Sequence, residues 1–93
     1  MSQKAVHVVI EGRVQGVWFR GWMKQEARTL NLRGWVRNRF DGSVEAVIAG
    51  MEADVDEMLE LCWQGPPVAK VLAVTATPAE DPGGDGFRHV SSA

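Results

Sequence analysis

Residues Gly34–Ala49 read GWVRNRFDGSVEAVIA: two runs of strand-forming residues, Gly34 to Arg39 and Ser43 to Ala49, separated by Phe40, Asp41 and Gly42. β-Branched and aromatic side chains suit a pleated, half-buried surface, and Asp-Gly is a strong hairpin signal. The stretch therefore predicts an antiparallel strand pair. Before it, Val6 to Ile10 shows near alternation bounded by Gly12 and predicts a first strand. Phe19, Trp22, Met23, Ala27 and Leu30 follow at a spacing near 3.6, with Lys24, Gln25 and Arg28 on the other side, so a helix is predicted over residues 19–30. Asn31, which tolerates the left-handed conformation, is placed to end it.

After the hairpin, Val55, Met58, Leu59, Cys62 and Trp63 recur at helical spacing behind an acidic first turn of Glu52, Asp54 and Asp56, which suits the positive end of a helix. Gly65, Pro66 and Pro67 stop that helix. Ala69 to Thr77 predicts a fourth strand, Pro78 to Gly86 a mobile loop, and Phe87 to Val90 a short last strand. The order is β-α-β-β-α-β with a short extra strand. Its economical packing is an α+β, ferredoxin-like sandwich, with two helices on one face of a mixed, mostly antiparallel sheet.

With 93 residues, 45% of them hydrophobic and 24% charged, the chain is expected to form one globular domain over residues 1–93. A net charge of -2 and a pI near 5.6 give no sequence-wide basic field, which disfavours nonspecific binding to nucleic acid or to an anionic membrane. A lone cysteine, Cys62, forms no internal disulfide, and no run approaches the ~20 apolar residues of a membrane span. The opening MSQKAVHVVIEG lacks the pattern of a secretory leader. A cytoplasmic monomer is expected, since no extended apolar surface pattern asks for a partner.

Between the first strand and the first helix runs Gly12-Arg13-Val14-Gln15-Gly16-Val17-Trp18-Phe19-Arg20. A glycine-bearing loop that enters a helix N-terminus suits an anion: its N–H groups can point inward as a nest, and the helix dipole favours negative charge. Arg20 can add a guanidinium fork matched to phosphate oxygens. A glycine pair alone more often makes a plain turn. The loop is also neither a Walker loop nor a dinucleotide fingerprint, so a nucleoside triphosphate site is not expected.

Two segments together go further. Ile10 to Arg20 (IEGRVQGVWFR) and Gly34 to Gly50 (GWVRNRFDGSVEAVIAG) resemble, in order and spacing, the two signatures of the acylphosphatases. The second helix, the Gly-Pro-Pro turn and Phe87-Arg88-His89-Val90 also sit where that family places them. The resemblance implies a hydrolase of acyl phosphates that uses no metal and no cofactor. Arg20 and the backbone N–H groups of Gln15, Gly16, Val17, Trp18 and Phe19 would bind the phosphoryl group, and phosphate or sulfate would fit the same loop. Asn38 would orient the attacking water. Loop side chains would be free to vary, except at Gly16, where a side chain would block the phosphate. Phe40, Asn31 and Met23 stand where many members have proline, glycine and threonine, and Phe40 bears on acyl preference.

The chemistry needs few groups. A carboxylate leaves readily, its conjugate acid having a pKa of about 4. The transition state spreads charge over oxygens, so positioned donors are sufficient. Asn38 can accept a hydrogen bond from water but is no strong base, so the water's proton is expected to pass to a phosphate oxygen or to solvent.

His7 and His89 read as ordinary strand residues, since no Asp, Glu or Cys stands at ligand spacing. Cys62 reads as a small buried hydrophobe and the acids of the second helix as a solvated face. Trp22, Trp35 and Trp63 mostly suit core positions, with the faces of the second strand, and so the side Trp35 takes, left open, whereas Trp18 either lines the acyl pocket or packs under the loop. Two other readings of the same layout are a carbamoyl-phosphate-handling or regulatory domain that kept the loop, and a ferredoxin-like RNA-binding module. The module would need exposed aromatics on the middle strands and a basic sheet face, neither of which the sequence suggests.

Overall fold

The computed structural model describes residues 2–93. Its first strand, β1 (Gln3–Arg13), buries Val6, Val8 and Ile10 on one side and turns His7 and Val9 to the other. It exceeds the expected Val6 to Ile10 at both ends because it lies between two neighbours, and ladder pairing holds polar residues that intrinsic propensity alone would leave out. Its ladder is irregular at Glu11/Gly12.

The first helix, α1 (Phe19–Thr29), buries Phe19, Met23 and Ala27, one residue per turn. It ends as expected on Asn31, at φ 57°. The Leu32 N–H reaches the Ala27 carbonyl at 2.8 Å and the Asn31 N–H the Arg28 carbonyl at 3.1 Å, the paired bonds of a Schellman stop, and Leu32 is buried behind them.

The expected hairpin is β2 (Arg33–Asn38) and β3 (Val44–Met51), paired antiparallel. The second helix, α2 (Glu52–Gln64), follows β3 directly and buries Val55, Met58 and Cys62. Gly65, at φ 64°, ends it, and a Cβ there would meet the Phe19 ring at 2.7 Å. The chain closes with β4 (Lys70–Pro78) and β5 (Phe87–His89).

The sheet order is β4-β1-β3-β2-β5, antiparallel throughout except for β2 with β5. Both helices cover one face, where a single apolar cluster joins Ile10, Phe19, Met23, Val36, Ile48 and Met58. This is the expected ferredoxin-like sandwich with its extra strand. The loop expected to be mobile is anchored at two points: Arg33 pairs with Asp81, and the Gly34 N–H reaches the Gly86 carbonyl at 3.1 Å.

Two of the three tryptophans expected in the core lie elsewhere. Trp63 is 51% exposed, because Cys62 takes the inward position on α2 and the next residue is turned about 100° away. Trp35 lies on the open sheet face, with the Arg37 guanidinium 4.9 Å from its ring centre. Trp22 is half-buried and packs edge-on against Phe19 at 5.2 Å.

On that open face Glu45 receives the Arg37 Nε–H at 2.6 Å and meets the His7 ring nitrogen at 2.6 Å. Burial by itself raises the Glu45 pKa, but the hydrogen bonds and charges of His7 and Arg37 outweigh it and hold the carboxyl below its usual range. A carboxylate with a depressed folded pKa contributes stability that is complete above its unfolded value, near ~4.3, and lost as pH falls through the folded value. In thermal melts between about pH 6 and pH 3, Glu45→Gln should show a smaller acid-induced fall in Tm than the parent. Gly34 offers a steric test: at φ 138°, a Cβ would stand 1.8 Å from the Val47 carbonyl oxygen, which is backbone and cannot yield cheaply. Denaturant unfolding should give a loss of about 3 kcal/mol or more for Gly34→Ala, against about 1 kcal/mol for Gly42→Ala, where the positive φ is the only obstacle.

Candidate active site

The loop between β1 and α1 is built on three apolar anchors. Val14, Val17 and Phe19 are each less than 10% exposed, so burial pins the loop at those side chains and leaves the backbone between them on the outside. Gly16 at φ 73° and Trp18 at φ 66° supply the left-handed bends the path needs. A Cβ on Gly16 would meet nothing within 4 Å, so within the chain the constraint there is conformational. The first helical bond of α1 runs from the Trp22 N–H to the Trp18 carbonyl at 2.9 Å. Among the described residues, the N–H groups of Gln15, Gly16, Val17, Trp18 and Phe19 find no acceptor in the chain.

Beside this loop is a cavity of about 100 Å³ whose lining includes Gly16, Trp18, Phe19, Arg20, Asn38 and His89. It suits a small ion, being well below the ~300–1,000 Å³ of sites that enclose larger ligands. Arg20 and Asn38, predicted from separate segments, thus face one space. Gln15 and Val17 are not part of that lining. Arg20 is half-buried and, among the described residues, has no carboxylate partner.

Asn38 is the last residue of β2, and its Oδ1 is buried without a hydrogen-bond partner. Leaving such an acceptor unpaired costs about 1–3 kcal/mol, and native chains tolerate it mainly where it has a use. Its own backbone carbonyl is taken by the Ala93 N–H at 3.1 Å.

The expectation that loop side chains are free to vary needs correcting. Val14, Val17 and Phe19 are core residues, and the Gln15 side chain ties the loop to the hairpin turn: its Nε2 donates to the Arg39 carbonyl at 2.7 Å and to the Ser43 carbonyl at 2.8 Å. Trp18 is 61% exposed rather than tucked under the loop, and its indole lies over Gly21, where a Cβ would meet Nε1 at 2.2 Å. Phe40 is 86% exposed in the turn and does not line the cavity.

His89 was expected to be an ordinary strand residue, yet it reaches the cavity wall. The parallel pairing of β5 with β2, which no local pattern announces, brings it there. A larger hollow of about 390 Å³ at the turn is flanked by Glu11 and Asp41. Hydrogen bonds from the Ser43 hydroxyl and amide keep the Asp41 carboxyl below its usual range, so that hollow has the wrong sign for an anion. Cys62 is fully buried, and burial pushes its thiol up to about 12, far from the range of a nucleophile. Among the described residues, no three His, Cys, Asp or Glu side chains converge as a metal site, and no helix is long and apolar enough to cross a membrane.

The acylphosphatase family model matches residues 6–89. The chain is 51% identical over 89 residues to the acylphosphatase of Rhodospirillum rubrum, covering 96% of this chain and 98% of that one. It is 52% identical over 83 residues to the acylphosphatase of Acidiphilium cryptum, covering 89% and 91% respectively. Its backbone matches the structure of an acylphosphatase from Coxiella burnetii with a TM-score of 0.91 at 35% identity, covering 95% and 93% of the two chains. With the signatures, the sandwich and the two-segment cavity in agreement, the chain belongs to the acylphosphatase family and is a hydrolase of acyl phosphates.

Proposed function

We propose that the hydrolysis proceeds by direct attack of water on phosphorus, with the phosphoryl group held by Arg20 and the backbone N–H groups of Gln15 to Phe19, and the water aimed by Asn38. The observation that carries this reading is the buried, unpartnered Oδ1 of Asn38 on the same small cavity as Arg20 and the loop. An acceptor without a donor suits a water molecule, and donors without an acceptor suit an oxyanion.

In the reaction the water donates one hydrogen bond to Asn38 Oδ1, which directs its lone pair at phosphorus. As the P–O bond to the acyl group lengthens, the carboxylate leaves with the bonding pair and needs no protein acid. The charge that spreads over the phosphoryl oxygens meets the guanidinium and the amides, which are already in place. A preorganised donor of this kind is worth ~2.7–4 kcal/mol, so several account for a large rate enhancement without metal or cofactor. The water's proton passes to a phosphate oxygen or to solvent, since Asn38 is no base.

On this reading phosphate or sulfate occupies the loop as product or mimic, and neither a metal nor a nucleic acid takes part. The chain works as one domain and as a monomer, and the buried free thiol of Cys62 fits a reducing cytoplasm.

Phosphate release from benzoyl phosphate in chelator should fall at least about a hundredfold in Arg20→Ala. Asn38→Ala should lower kcat comparably while unfolding within about 1 kcal/mol of the parent, because it deletes an acceptor that is already unpaired. A fully active Asn38→Asp with a new carboxylate limb in its pH profile would defeat the water-aiming role. Gln15→Ala should cost about 1–2 kcal/mol of stability and about tenfold in kcat/KM, since both of its carbonyl bonds go at once.

A further inference from the structure

His89 shares the cavity with Arg20 and Asn38 but has no part in the mechanism above. Its register partner on β2 is Val36, which is buried under the helices, so the imidazole stands on the helix-facing side of the sheet. The charged groups that act on it are Arg20 and Lys24, one turn apart on α1. β2 sets Val36 and Asn38 beside it and the loop contributes Gly16 and Trp18, none of which titrates. His89 is exposed on its outer side, and partial desolvation on the cavity side, with the charges of Arg20 and Lys24, lowers the imidazole pKa from its ordinary 6.5 and so favours the uncharged ring.

A third cation at this spot is disfavoured only while the local field is positive. An entering dianion reverses that field, and the ring nitrogen can then take a proton from solvent and donate N–H to a phosphoryl oxygen. We propose that His89 is a third side-chain ligand of the phosphoryl group, taking up a proton as the dianion enters, so that affinity for acyl phosphates falls as pH rises. The inference rests on the loop-and-Arg20 cradle described above. By linkage, binding is tightest below the pKa of the sulfate-free or substrate-free protein. It weakens between that value and the higher pKa of the complex, and levels off above it.

Sulfate is the probe, because it remains a dianion across the range in which phosphate changes its own charge. The two histidines, His7 and His89, are titrated by NMR at constant ionic strength with and without saturating sulfate, and His89→Gln assigns the resonances. The expected result is a rise of about one unit in the His89 pKa, matched by about a tenfold weakening of sulfate binding across the titration. His7, on the opposite sheet face, should not move, and His89→Gln should bind sulfate with no such pH dependence. Sulfate that binds without moving His89, or an unchanged pH slope in His89→Gln, overturns the inference and leaves the cradle intact. Absence of sulfate binding, or binding undiminished in Arg20→Ala, overturns the cradle and this inference with it.

Discussion

Burial of Val14, Val17 and Phe19 is the constraint on which the site depends. Their transfer out of water, roughly 1.5–3 kcal/mol for each fully buried side chain, holds the loop in a path that leaves five consecutive amides without acceptors. These donors lie on the outside of the loop, and a loop free to relax would turn them toward its own carbonyls. The apolar anchors prevent that. On the proposed mechanism, hydrophobic burial of these side chains is what sets the direction of the loop amides, two of which belong to the anchors themselves.

Arg20 and Asn38 come from elements with little else in common, the first turn of α1 and the last residue of β2. The sheet order explains how they meet. β2 lies toward the edge that α1 covers, and the strand runs so that its end approaches the helix's beginning. Positive charge and an orphaned amide oxygen then face each other across a space too small for a nucleotide. The division of labour follows: one side of the cavity is cationic and rich in donors, and the other offers a single acceptor.

Much of this was legible from residue order. The Asp-Gly turn between two strand-like runs, the helical spacing of Phe19, Met23 and Ala27, and the Asn31 stop are local signals, and each element appeared where local physics put it. Arg20 and Asn38, one from each signature segment, line the same cavity. What stayed hidden depends on non-local geometry. The place of His89 follows from its parallel pairing with Val36, distant in sequence, and the role of the Gln15 side chain follows from carbonyls 24 and 28 residues away. Trp63 misled because an apolar residue at helical spacing can still sit a third of a turn off the buried stripe, a difference decided only by the packing of Cys62.

The bridge from Gln15 to Arg39 and Ser43 also bears on how the protein acquires its activity. The hydrogen bonds of α1 are local in sequence, but the tie from loop to turn exists only once β1, β3 and β2 have found their partners over long stretches of chain. During refolding from denaturant, helical signal and collapse should therefore precede turnover. Recovered catalysis would report a completed sheet, making the enzyme's own substrate a sensor for the slowest assembly step.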